Sequence, residues 1–173
     1  FWDRRARFNV AAYTTRYKDI QIDFIAPTAG TNRTTIETLN APGHGTIKGI
    51  EADASLTPLE GLTLSASYAY TDASLPQSVN PFLAATAPLQ TVYVINTPRH
   101  AGSGAIDYAL PLTGSAELRA HLDANVSGRY HASAGEATLT DKSFIVNGRL
   151  AVAGIDLTRG AKLDIALWSR NLF

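Results

Sequence analysis

Between Ser115 and His131 every odd position is polar: Ser115, Glu117, Arg119, His121, Asp123, Asn125, Ser127, Arg129 and His131. Glu51 and Asp53 repeat the same spacing earlier in the chain. Carboxylates, guanidinium groups and imidazoles on one line can hold a metal ion, run acid–base or nucleophilic chemistry, or form a hydrated wall. A metal site is not expected. His121 and His131 lie ten residues apart, roughly 33 Å along an extended chain, and cannot share an ion. His44 and His100, each near a strand start after a long loop, are the pair able to approach one another. A serine nucleophile needs a histidine and an Asn or Asp within hydrogen-bond reach. Ser127, His121 and Asn125 are instead spaced along one line, and no G-x-S-x-G elbow occurs. No catalytic residue and no cofactor is therefore expected, and a polar wall is what remains.

The partners of these positions define the element that carries them. The even positions of the same run are Ala116, Leu118, Ala120, Leu122, Ala124, Val126, Gly128 and Tyr130, none of them polar. A period of two means a strand with one apolar and one polar face. Seventeen residues would span roughly 55 Å, far beyond the ~5–6 residues of an ordinary globular strand. Leu62, Leu64, Ala66, Tyr68 and Tyr70 alternate with Thr63, Ser65, Ser67, Ala69 and Thr71. Ile50, Ala52, Ala54 and Leu56 alternate with Gly49, Glu51, Asp53 and Ser55. A further strand begins near Arg99 and closes on Ile106, Tyr108 and Leu110. Phe144, Val146, Leu150 and Val152 alternate less cleanly with Asn147 and Arg149. The last strand sets Leu163, Ile165 and Leu167 opposite Lys162, Asp164 and Arg170. The first, about Arg7 to Ile25, is ambiguous, because Phe8, Val10 and Ala12 share one parity while Tyr13 and Tyr17 share the other.

Connections alternate between short (57–61, 111–114 and 156–160) and long (26–43, 73–98 and 132–142). Pro58 and Gly61 read as turn residues. Seven strands running up and down follow, with short turns at one end and long loops at the other, the arrangement of an outer-membrane barrel. A soluble barrel also alternates, but its core needs bulky, varied side chains. The sequence Ala, Leu, Ala, Leu, Ala, Val, Gly, Tyr is poor core material and acceptable against lipid. Tyr68, Tyr70, Tyr130 and Phe144 fall at ends adjoining long loops and Tyr108 near a short turn, as girdles at both membrane interfaces would. The expected fold is thus all-β: an antiparallel transmembrane β-barrel segment of about seven long meander strands, with Glu51, Asp53, Glu117, Arg119, His121, Asp123, Asn125 and Arg129 facing the lumen. The girdle is also the reading preferred for Tyr13 and Tyr17.

Composition agrees. Of 173 residues 45% are hydrophobic and only 17% charged, below the roughly 25% usual for soluble domains. The 15 basic and 15 acidic residues balance, which gives nucleic acid no electrostatic footing. Cysteine is absent, excluding disulfides and thiolate chemistry. No apolar run approaches the ~20 residues of a spanning helix.

Five stretches, in order, resemble the C-terminal half of TonB-dependent receptors. Phe8 to Gln21, FNVAAYTTRYKDIQ, is similar to the family's F-x-x-x-x-Y-x-x-x-Y-K-D-x-Q strand, placing Tyr13, Tyr17 and Asp19 in a motif. TIKGIEADASL resembles the x-x-G-x-E strand through Gly49 and Glu51. TPLEGLTLSASYAYTD, from Thr57, resembles the P-L-x-G-L-x-L-x-x-S-Y-x-Y-T-D hairpin through Pro58, Gly61, Tyr68 and Tyr70, the closest match. Pro98 to Gly102 resembles the resumption of a strand after a long loop, and LWSRNLF the x-N-L-F-D segment through Asn171. The resemblance implies a 22-stranded barrel of which this chain is seven of the last eight strands, with plug domain, TonB box and closing strand elsewhere; Phe173 then belongs to the earlier motif and is not a terminal aromatic. It also implies active import of siderophore-iron, haem, cobalamin or an oligosaccharide across the bacterial outer membrane. The implied partners are outer-membrane lipid, a plug domain of the same protein, TonB and an unidentified small ligand. A passive porin is the alternative, and a soluble β-sandwich or adhesive module the third. Ligand contacts are expected in the loops 26–43 and 73–98.

Overall fold

The computed structural model describes residues 2–172, apart from the side chain of Arg159. Phe173, assigned above to the last motif, lies outside the described residues. Alternation translates directly into strands: β1 (Ala6–Lys18), β4 (His44–Leu59), β5 (Leu62–Ser74), β6 (His100–Pro111), β7 (Glu117–Ser127), β8 (Ser143–Asp156) and β9 (Lys162–Ser169) form one antiparallel sheet in the order β1-β4-β5-β6-β7-β8-β9. A separate two-stranded sheet, β2 (Gln21–Pro27) with β3 (Thr34–Asn40), interrupts the meander after β1. The seven-strand meander is as expected; the extra hairpin is not.

Register assigns the faces. Val10, Ala52, Tyr68, Gly102, Val126 and Phe144 are successive partners across six strands. Leu62, Tyr108, Ala120, Leu150 and Leu167 form another such row. These rows are exposed, with Val10 58%, Phe144 55%, Leu150 51% and Leu167 76% accessible. Apolar rows of this extent, left open by a sheet pairing only edge to edge, are what lipid covers. A β-sandwich would bury them against a second sheet, and the described residues contain none there.

Two irregularities explain the untidy alternation. The β4–β5 register shifts between Leu56 and Leu59, so Leu59 returns to the face of Leu56 across the Thr57-Pro58 step. The β8–β9 register shifts between Val152 and Ile155, where Gly154 takes φ +72° and donates its N–H to Asp164 Oδ1 at 2.7 Å. Each inserts one residue and restores the apolar face beyond it, as a bulge does.

Three sequence expectations are corrected. The first strand does not run from Arg7 to Ile25: β1 ends at Lys18, and Asp19, at φ 54°, turns the chain out of the sheet. Asp tolerates this left-handed conformation better than most residues. The segment 26–43 is not an open loop, since β3 and the end of β2 occupy half of it. Finally, β7 stops at Ser127, so the run to His131 is eleven residues of strand and a departing loop, and Arg129 stands beyond the wall. There Tyr130 bonds Thr140 and His131 bridges Ile95 and Leu139, contacts that draw the backbone off the ladder.

Candidate functional site

Opposite the apolar rows lies a hydrogen-bonded polar face. Asn9, Asp53, Ser67, Ser103 and Asn125 are successive cross-strand partners on it. Asn9 Nδ2 donates to Asp53 Oδ2 at 2.9 Å, and Ser67 and Ser103 share a bond of 2.7 Å. Asp123 gathers three neighbours: Asn125 and Asn147 donate to it at 2.8 Å each, and His121 Nε2 lies 3.2 Å away. The other His121 nitrogen faces Asp107 at 2.7 Å. Arg119 pairs with Glu117 at 3.1 Å. Glu51 stands between Ala11 and Ala69 on the same face. Shallow depressions of about 380, 390 and 310 Å³ open along it. His121 is held between carboxylates, Ser127 Oγ donates to the carbonyl of Gly128, and no group of three metal-ligating side chains occurs among the described residues.

The motif tyrosines divide between faces. Tyr13 and Tyr17 are on the polar face, against the girdle reading: Tyr13 pairs with Gly49 and its hydroxyl lies 3.3 Å from Thr71 Oγ1. A Cβ on Gly49 would meet the Tyr13 hydroxyl at 2.6 Å and collide with the Tyr70 carbonyl oxygen. Glycine is thus required so that the ring can lie flat over the strand. Tyr68 and Tyr70 are on the apolar face, where both rings contact His100 and the Tyr68 hydroxyl bonds His100 Nδ1 at 2.7 Å. One row farther toward the loops the same face carries Lys48 and Asp72, paired at 3.3 Å. Apolar, then aromatic, then charged is the order of a membrane interface. His44 does not approach His100, because His100 pairs level with Ile50, six residues or roughly 20 Å along β4 from His44. Gly61, at φ +78°, completes the two-residue β4–β5 turn, and Asn171, at φ 54°, lets Leu172 N bond Val146 O after β9 ends.

At the end of the sheet bearing the long connections, the chain builds a cap. A buried hydrophobic cluster lies here: Ile22, Phe24, Ala41 and Val92, with Ile20, Leu75 and Ala134 packed against them. β2 alternates buried and exposed, presenting Ile22, Phe24 and Ala26 to the connection between β5 and β6. Asn80, itself buried, donates to the carbonyl of Ile25 at 2.9 Å and accepts from Phe82 N. Tyr93 N bonds Ala134 O and Asn96 N bonds His131 O, so the connections after β5 and β7 are stitched together. Two cavities flank the 92–94 segment. One, about 560 Å³, has apolar walls including Tyr17, Phe24, Ile47 and Leu75, with Asp23 as the charged member of its described lining. The other, about 530 Å³, is lined by Arg99, Arg129, Lys142, Tyr93, Tyr130 and His131 among others.

An exposed apolar face, a polar face opposite it and long connections at one end make a specific pattern, and comparison with protein families identifies it. A profile described as TonB dependent receptor-like, beta-barrel matches residues 1–172. The chain belongs to that family. No curated protein and no solved structure matches it. The TonB-dependent receptor barrel is an outer-membrane transport component, and the seven-stranded sheet is an unclosed segment of it. Sequence reasoning placed the wall residues on their strands, Arg129 excepted, but missed the cap of this receptor. The alternation of Ile22, Phe24 and Ala26 with Gln21, Asp23 and Ile25 was the available signal for β2. No local signal announced that Arg99, Arg129 and Lys142 share a cavity.

Proposed function

We propose that this receptor barrel imports a scarce nutrient across the bacterial outer membrane with energy supplied through TonB, and that its packed cap makes the first contacts with the ligand. The observation that carries the reading is the pairing of the two parts. A wall with one lipid-type face supports connections that fold over their own apolar core and leave two ligand-sized cavities. In this reading Glu51, Asp53, Glu117, Arg119, His121, Asp123 and Asn125 form a solvated inner wall facing a plug domain, and further strands cover the open edges of β1 and β9. Siderophore-iron, haem, cobalamin and oligosaccharides are the ligand classes to distinguish.

The test is uptake by cells in which the full-length protein is the only receptor of its kind. One of these ligand classes should enter saturably, and a protonophore should abolish its entry. Entry that continues unchanged after the proton gradient collapses would instead identify a passive channel.

A further inference from the structure

We infer that the second cap cavity recognises anions, and that the ligand is a compact, carboxylate-rich small molecule with a planar or apolar part; this rests on the transport reading above. Three cations from three separate stretches line that cavity: Arg99 just before β6, Arg129 just past β7 and Lys142 just before β8. No Asp or Glu is among its described lining residues. Among the described residues no carboxylate pairs with Arg129 or Lys142. Arg99 does meet Asp72 at 3.3 Å, but Lys48 holds the same carboxylate at 3.3 Å, so one acid serves two cations. Glu136 and Asp141 belong to the same connection as Lys142 and lie outside the lining.

All three residues are exposed, and cations gathered around one cavity raise the local concentration of anions there. Guanidinium groups match carboxylates in particular, because two parallel N–H donors meet two oxygens. Beside the cations Tyr93 and His131 stack with ring centroids 4.0 Å apart and an interplanar angle of 25°, a flat wall for a planar or apolar portion. The cavity, about 530 Å³, is within the range that holds a small ligand. The neighbouring cavity, apolar and carrying only Asp23 as a described charge, offers an anion nothing comparable.

The experiment uses the full-length receptor in lipid-free detergent, titrated calorimetrically with iron(III)–citrate, free citrate, inorganic phosphate and the iron(III) complex of a neutral trihydroxamate. Iron–citrate or citrate should bind, and more tightly than phosphate or the neutral complex. Arg129→Gln and Lys142→Gln should each weaken binding roughly tenfold, the loss of one charge-assisted hydrogen bond. Salt at about 0.5 M should weaken it further. Arg33→Gln, in the β2–β3 turn, serves as control and should leave affinity unchanged. Binding of the neutral complex as tight as that of citrate, equal binding of phosphate, or affinities indifferent to both cap substitutions would overturn the inference. Whole-cell uptake separates it from the transport reading. Protonophore-sensitive entry of the neutral complex alone leaves transport standing and removes the anion site. Citrate binding that needs Arg129 and Lys142, with entry indifferent to the proton gradient, keeps the site and removes energised transport.

Discussion

Leu122 and Asn125 are three residues apart on β7 and look in opposite directions. Leu122 shares a row with Leu64 and Ile106 on the exposed apolar face, while Asn125 donates to Asp123 on the other. Leu122→Arg should therefore cost about 2–4 kcal/mol if its row meets mid-bilayer. Asn125→Arg should cost far less, since the new cation would have Asp123 beside it. Comparing urea midpoints of the two full-length variants in lipid vesicles checks this, and equal losses would reverse the faces. Single residues also show where motif reading stops short of explanation. Tyr13 and Gly49 both stood out in the sequence, but as separate motif positions. Their relation, a ring laid over a strand that has no Cβ to obstruct it, depends on a pairing between residues thirty-six positions apart. Asp19 and Asn171 are easier cases: both occupy left-handed backbone positions, which suits their residue types without any distant partner.

At the scale of elements, the wall strands were legible because each carries its own record of two faces. Even the lapses in alternation at Thr57-Pro58 and near Gly154 become single inserted residues once partners are assigned. The β2–β3 hairpin was not read this way. β2 is short, follows β1 with only Asp19 and Ile20 between, and its apolar parity continued a strand already under-determined. Its importance is energetic. Phe24 is 2% exposed and anchors the cluster with Ile22, Ala41 and Val92. Phe24→Ala should cost the cap about 3–5 kcal/mol, as for a buried aromatic truncated in a core. The wall, whose bonds do not involve it, should persist. Limited proteolysis of the full-length variant should thus cleave within 75–99 while the barrel keeps its heat-modifiable migration in gels. Simultaneous loss of barrel and cap would show that the two are one cooperative unit.

Across the whole molecule, β1 and β9 are the outermost strands of the sheet, each with one strand neighbour among the described residues. In hydrocarbon each unsatisfied backbone group costs several kcal/mol, so this sheet requires partners on both sides. The segment produced alone should aggregate rather than insert into vesicles, and the full-length receptor should insert. Stable insertion of the isolated segment would mean that it closes on itself or on copies of itself.

Local alternation was sufficient to determine the six wall strands after the first, their two faces and the end at which the long connections gather. The reason is geometric: a period of two belongs to each strand by itself, and lipid on one side with water on the other writes it into neighbouring residues. Tertiary structure alone decided that the connections fold into a cap. It also decided that Tyr13 turns toward the polar face, and that Arg99, Arg129 and Lys142 line one cavity. Those relations join residues far apart in the chain through packing and register, and no local period records them.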